Sequence, residues 1–417
     1  MRRIILPVAI VFLTGFFVAV NADPNASDLL TEEKALELAL ANNHELAALN
    51  GEVRECEARA GFAAYDINNP ELRAQDISTR YLSEDEDHEL QLGLRWQPPE
   101  LGELGLRKQE EIVALWETKV RLQQRRNELI ATVRLAYAEQ TMLPAYAEIA
   151  ERRVALERQR FAVIERKVTL GHSSVIDQVK ARKRIIKAQN DAAKIRQRNV
   201  NSRMRFGVLT GVHQAYSVKP AAPPILRLDR DHLSVLARRY RSELTLAQQR
   251  AELARREQRA QRGKLVPWFS FVEVGQHFES DDQDWQELRL GVQLPLFNWN
   301  VGNLRAASMA VERGGVSAAA VSETIEMELS VALARYETVL TQWRSLHDEH
   351  ADYLPQISRL IDAAEQQDTL PTDEKIDLQL AELECLGLQL DLRLELIEAA
   401  MELCAAVGVD RWEELVE

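Results

Sequence analysis

The sequence predicts a mainly α-helical protein with a small β part, built from a duplicated helix, strand, strand, helix, helix unit. Three observations predict it. Only 17 Gly and 13 Pro occur among 417 residues, of which 46% are hydrophobic and 28% charged, so elements are long and the residues filling them favour helices. Sliding the chain on itself by about 198 positions lays Ser242-Glu243-Leu244 on His44-Glu45-Leu46, and Glu287-Leu288-Arg289-Leu290-Gly291 on Glu89-Leu90-Gln91-Leu92-Gly93. A match of that period marks a duplicated unit too large for a solenoid repeat. Within each unit the apolar period drops from helical to two over one short segment. Ample apolar content excludes a disordered or collagen-like chain, and three cysteines exclude a disulfide scaffold. No apolar run beyond residue 20 reaches the roughly 20 residues of a spanning helix.

Arg2 and Arg3 precede an apolar run from Ile4 to Val20, followed by Ala22, the pattern of a cleaved secretory signal over residues 1–22. Its removal leaves 50 bases against 65 acids, net −15, instead of −13. Export also removes nucleic acid as a partner for the basic stretches. The first unit then spans 23–211, a proline-bearing linker (Pro220, Pro223, Pro224) spans 212–230, and the second unit spans 231–417. One helix opens the first unit after Asp28 and Thr31, with Ala35, Leu38, Ala39, Leu46 and Leu49 at helical spacing.

Strands follow at about 72–81 and 89–97, and at about 267–278 and 286–296. Leu90, Leu92, Leu94 and Trp96 alternate with Glu89, Gln91, Gly93 and Arg95, and Leu288, Leu290, Val292 and Leu294 with Glu287, Arg289, Gly291 and Gln293. Each of these two strands has one apolar and one polar face, whereas their partners are weaker, Leu72 to Tyr81 carrying Ile77, Thr79 and Tyr81 on one side and Trp268 to Phe278 being aromatic but imperfect in alternation. Long helices come next, at about 100–169 and 300–368, the second interrupted at Pro355, while Pro144 is the breaker in the first. Returning helices occupy about 172–210 and 373–408. Both carry sevenfold seams, Val179, Ile186, Ala193, Val200 and Leu383, Leu390, Ile397, Cys404.

In an exported protein, alternating strands of about ten residues suit a bilayer, where a sheet must close on itself. Four strands per chain cannot close, so the sheet is shared between copies. Two copies give eight strands, a barrel filled by its own side chains, and three give twelve, the choice for a conducting lumen. Helices roughly 100 Å long hang from it. The acidic turns Glu84, Asp85, Glu86, Asp87 and Asp281, Asp282, Asp284 would then form an extracellular rim favouring cations.

Over essentially the whole mature chain the sequence resembles the TolC-like outer-membrane factors of tripartite efflux pumps and type I secretion systems. The residues that carry the resemblance are Leu30-Thr31-Glu32-Glu33-Lys34-Ala35-Leu36 with Asn43-His44-Glu45-Leu46, Leu170-Gly171-His172-Ser173-Ser174-Val175-Ile176-Asp177, Leu209-Thr210-Gly211, and Leu294-Pro295-Leu296-Phe297-Asn298-Trp299-Asn300. The stretch Asn69-Pro70-Glu71-Leu72, with Trp96 to Gly105, looks most like the heavy-metal efflux branch. The resemblance implies a homotrimer, a 12-stranded outer-membrane barrel in outer-membrane lipid, and a periplasmic α-helical tunnel. It also implies a periplasmic adaptor and an RND-type inner-membrane transporter as partners, and no enzymatic activity or cofactor. By matching position it places the adaptor-contacting tips at Gly171, His172, Ser173, Ser174 and at Leu370, Pro371, Thr372, and tunnel-entrance carboxylates at Asp377 and Asp177. Leu370-Pro371 stands where members carry Gly.

His347 and His350, one turn apart, could hold a metal, but no third ligand accompanies them. Cys56, Cys385 and Cys404 read as small core hydrophobes. No Gly-rich phosphate loop, nucleophile elbow or Cys-x-x-Cys pair occurs. The rival function, a structural or adhesive coiled-coil protein of the cell envelope, accounts for the helices but not for the matched amphipathic hairpins. The returning helices differ in charge: residues 178–205 hold ten Lys or Arg against one acid, and 378–405 hold six acids against one base. That asymmetry predicts attraction between the two as neighbours around a tunnel.

Overall fold

The structure, a computed structural model, describes residues 29–79, 87–212, 217–219, 224–279, 285–295, 299–367 and 371–416. The expected signal segment lies outside them. The first unit runs β1 (Leu29–Leu30), α1 (Glu32–Asn42), α2 (His44–Phe62), β2 (Glu71–Thr79), β3 (Asp87–Trp96), α3 (Glu103–Thr169), α4 (Val175–Thr210). The second repeats that order as β4 (Ser217–Val218), α5 (Arg230–Tyr240), α6 (Ser242–Gly263), β5 (Trp268–Glu279), β6 (Trp285–Gln293), α7 (Val301–Gln367), α8 (Thr372–Val407) and a final 3₁₀ turn, Trp412–Leu415.

Two helices stand where the sequence predicts one. Asn43 leaves helical geometry at φ −82, ψ 105, and its side chain accepts the Leu46 amide, capping α2. Arg241 makes the duplicate corner at φ −74, ψ 106. Apolar spacing continues across one extended residue, so periodicity alone does not reveal the corner. Short parallel pairing between β1 and β4, Leu29 with Ser217 and Leu30 with Val218, was also unforeseen, because two residues give no alternation.

The expected interruption at Pro355 is absent: α7 is helical from Val301 to Gln367, as α3 is through Pro144. A proline deletes one amide donor and kinks a helix, and packing on both sides carries the helix through. Met142 and Leu143 beside Pro144 are buried, as is Ile357 beyond Pro355. At 1.5 Å per residue each 67-residue helix is about 100 Å long.

Packing sets a layer of helices. α3 packs on α4, α8, α6 and α2, and α7 on α8 and α6. Toward the helical tips the lateral order is therefore α4, α3, α8, α7; toward the strands it is α2, α3, α6, α7. The predicted attraction between α4 and α8 finds no adjacency within the protomer, because α3 stands between them.

The core lies at mid-height, where α1 and α5 cross the long helices. Tyr137 of α3 and Tyr336 of α7, duplicates of one another, are buried there. The Tyr137 hydroxyl lies 2.9 Å from the Leu30 and Lys219 carbonyls. The Tyr336 hydroxyl donates to the Pro224 carbonyl at 2.7 Å and accepts the Leu226 amide at 2.8 Å. Each tyrosine thus ties an irregular segment to a long helix, satisfying buried backbone groups. Arg134, 5% exposed, lies 3.0 Å from Glu32 and 4.4 Å over the Trp412 ring, joining both ends of the described chain to α3. Burial pushes the Glu32 carboxyl up despite Arg134.

The two predicted hairpins merge into one antiparallel sheet, ordered β2-β3-β5-β6. β3 pairs β5 with Gln91 opposite His277 and Gly93 opposite Gly275, and a bulge at Phe269/Phe271 bends β5 where it meets β6.

Candidate functional site

Cross-strand register sorts the sheet into two chemical faces. One carries Leu72, then Leu90, Leu92, Leu94, then Val274 and Phe278, then Leu288 and Leu290, and all are exposed. The other carries Gln91, Arg95, Glu273, His277, Glu287 and Arg289, of which Gln91, Glu273 and His277 are buried at 4%, 6% and 2%. His277 lies 2.9 Å from Glu287 and stacks on Trp285 at 3.7 Å, Arg289 pairs with Glu287 at 2.6 Å, and Arg95 sits 4.0 Å over the Phe271 ring. A sheet in water buries its apolar face. This one exposes it, and buries or pairs much of its polar face, the arrangement a hydrocarbon solvent selects. Trp96 and Trp268 mark its helical end, their indoles donating to the Asn68 and Pro99 carbonyls at 3.0 Å each.

The first tip is a helical C-terminus followed by a new N-terminus. Gly171 takes φ +77, a conformation cheap only for glycine, and lets the His172 amide reach the Lys167 carbonyl at 2.8 Å. Ser174 caps α4, its hydroxyl accepting the Asp177 amide while donating to the Asp177 carboxylate at 2.7 Å. Ser174 first, through side chain and backbone, and then Ser173 hold the Asp177 carboxyl below its usual range. Asp177 therefore closes a capping box.

At the second tip Pro371 precedes α8 at φ −58, ψ 144, and Thr372, Asp373 and Glu374 fill the first turn without a side-chain cap. Leu370 lies outside the described residues, as do Glu84, Asp85, Glu86, Asp281, Asp282 and Asp284 of the acidic turns. Asp87 opens β3.

Asp377 does not repeat the role of its duplicate. It lies 2.9 Å from Arg160 of α3 and is one rung of a ladder. Tyr146 donates to Asp391 at 2.6 Å, Arg153 pairs with Glu384 at 3.0 Å, and Lys167 with Asp373 at 2.9 Å. The α3 members recur every seven residues, as do Asp377, Glu384 and Asp391 on α8, so the ladder follows the coiled-coil seam. Lys167 holds the Asp373 carboxyl below its usual range. Sequence reasoning missed Asp373 and the ladder, although sevenfold bases on one helix and sevenfold acids on another were the available signal.

His347 stacks on Trp343 at 4.9 Å, and the side chain of His350 lies outside the described residues. Cys56 is buried 3.8 Å from the Thr118 hydroxyl, and burial pushes the Cys404 thiol up to about 12.

No protein-family model matches the chain, and no curated protein matches it. Solved structures do. CusC, whose structures are described in terms of transmembrane channel formation, is 20% identical, with 91% of this chain and 92% of that chain covered at a TM-score of 0.68. A membrane protein from Pseudomonas aeruginosa is 17% identical, with 91% and 90% covered at 0.69. The open state of the MtrE outer-membrane channel of Neisseria gonorrhoeae is 16% identical, with 91% and 89% covered at 0.68. The chain has the fold of these channel structures, the one its resemblance to TolC-like outer-membrane factors implied.

Proposed function

We propose that the chain is the outer-membrane channel-tunnel component of a tripartite efflux pump. It passively conducts substrates delivered by an inner-membrane transporter of RND type and a periplasmic adaptor. The observation that carries this reading is the inverted sheet, its apolar face open and its polar face largely buried, continuous with helices about 100 Å long. Three copies supply twelve strands, the fewest in this series that leave an open lumen. The exposed tip residues Gly171, His172, Ser174, Pro371 and Thr372, with half-buried Ser173, form the adaptor-facing end, and Asp177 and Asp377 flank the tunnel entrance.

The test is assembly and conductance of the full-length protein. Leu92→Arg and Leu290→Arg, on the apolar strand face, each cost about 2 to 4 kcal/mol near a bilayer midplane, so both variants should be lost from the outer-membrane fraction and show no conductance in planar bilayers. If both insert and conduct like the parent, the assignment of the apolar strand face to lipid fails; a parent that neither fractionates with the outer membrane nor conducts overturns the channel reading in favour of a coiled-coil envelope protein.

A further inference from the structure

The sevenfold seam of α4 has no partner among the described residues of the protomer. α4 packs on α3 through Ala181, Ala188, Ala192, Ser202 and Phe206, all buried. Val179, Ile186 and Val200 lie on the opposite face, 64%, 60% and 53% exposed, with Ala193 exposed between them. A row of apolar residues at heptad spacing on an open face is a coiled-coil seam lacking its second helix.

Charge names the occupant. Lys187 and Lys194 border the seam on one side, and Arg182, Arg196 and Arg203 on the other, each set at multiples of seven. Arg196 reaches back to Glu151 of α3, whereas Arg182, Lys187, Lys194 and Arg203 make no ion pair among the described residues. The far edge of the same protomer is α7. From Glu337 to its end α7 carries six acids (Glu337, Asp348, Glu349, Asp352, Asp362, Glu365) against Arg344 and Arg359. Glu337, Asp348 and Glu349 are exposed, and α8, which packs on α7, is itself acidic, matched by α3 and by Arg335 of α7.

Heights agree as well. Gln140 bonds Ser202, Tyr146 bonds Asp391, and Arg335 bonds Glu402, and stepping through those pairs puts Ser202 of α4 level with Leu340 of α7. Lys194 then stands level with Asp348, and Arg203 falls within one turn, about 5.4 Å, of Glu337.

We propose that α4 is the docking edge for the α7 edge of a second copy of this chain, with the unpaired bases of α4 and the acids of α7 fixing the register. This rests on the side-by-side assembly of the preceding reading and adds what sets its alignment. The apolar seam supplies attraction without register, since an Ala and three β-branched residues tolerate a one-heptad slip. The charges supply register by penalising it.

The experiment uses full-length protein in detergent, with oligomer dissociation followed by analytical ultracentrifugation at low and high salt. Lys187→Glu, Lys194→Glu and Arg203→Glu together should weaken association about tenfold or more at low salt, several modest pairs turning from attraction to repulsion. Glu337→Lys, Asp348→Lys and Glu349→Lys together should do the same, and all six substitutions combined should restore association. The milder Lys187→Gln and Lys194→Gln pair should flatten the salt dependence without disturbing the fold, which keeps the test alive should a reversal misfold. Reversals that leave association unchanged, or a sixfold variant that fails to recover, overturn the charge register. A parent chain that remains monomeric and conducts nothing overturns the channel reading itself, a separate result.

Discussion

The returning helices α4 and α8 are duplicates of equal length, 36 residues each, with the same sevenfold seam and opposite fates. In α8 the seam is interior: Leu383, Ile397 and Cys404 are 5%, 1% and 4% exposed, between α3 and α7. In α4 it faces outward, because α3 occupies only one side of that helix. A heptad pattern thus states that a helix needs a partner, without saying whether the partner lies in the same chain. Where the partner is internal, the charges on α8 are matched by the α3 ladder. Where it is not, Arg196 and Arg198 reach back to α3 while Arg182, Lys187, Lys194 and Arg203 make no ion pair among the described residues.

The sharpest way to break this comparison is to truncate both seams. Leu383→Ala or Ile397→Ala in α8 should cost about 2 to 5 kcal/mol of unfolding free energy, the range for buried large-to-small changes. Ile186→Ala in α4 should cost under about 0.5 kcal/mol in the protomer itself. Its effect should appear as a concentration-dependent loss of oligomer stability, since anything that assembles only when folded stabilises by mass action. Urea unfolding at two protein concentrations separates the two. Equal, concentration-independent losses would erase the distinction between interior and edge.

The C-termini of the same helices give the next contrast. Both end on a left-handed glycine, Gly211 at φ +74 and Gly408 at φ +88. Alanine at either should cost about 1 to 2 kcal/mol through the backbone alone. Gly211→Ala should be the worse, because its new methyl would meet the Asn42 amide at 2.8 Å and disturb the Asn42 bond to the Thr210 carbonyl. At Gly408 the nearest atom is the flexible Arg241 side chain at 3.2 Å. Thermal melts of the two variants should rank them in that order.

Smaller still are effects on the ladder. Arg160→Ala and Asp377→Asn each remove one half-exposed pair and should cost at most about 1 kcal/mol globally. Amides of α8 from Thr372 to Glu384 should nevertheless exchange faster in both variants, while α4 amides stay unchanged.

The smallest effect is that of pH on the tips. Asp177 and Asp373 both have carboxyl pKa values lowered in the folded state. Their contribution is fully present above the ordinary carboxylate pKa of about 4 and is lost as pH falls through the lowered folded value. Exchange protection at both tips should therefore drop on acidification below about pH 4, the ordinary aspartate range. Ser174→Ala should shrink that drop at the first tip only, and Lys167→Met at the second only.

The alternation of Leu90, Leu92, Leu94 and its duplicate Leu288, Leu290, Val292 made the strands legible, because a pleated backbone turns every second side chain to one face whatever surrounds it. The same holds for the long helices and the Ser174-Asp177 cap, whose partners lie within one turn. The corner at Asn43, the continuity through Pro355 and the pairing of β1 with β4 were not legible. Each depends on packing against residues far away in the chain, which local periodicity does not encode.

By itself the sequence determined that this protein is duplicated, long-helical, carries four amphipathic strands and needs partners along its heptad seams. These properties follow from residue order and backbone geometry alone. Only the tertiary structure decided that the strands join in one sheet with its polar face largely buried. It alone placed Asp377 on Arg160 while Asp177 caps its own helix, and set α3 between α4 and α8. Duplicated segments carry the same local code, and what separates them is which neighbour reaches each first.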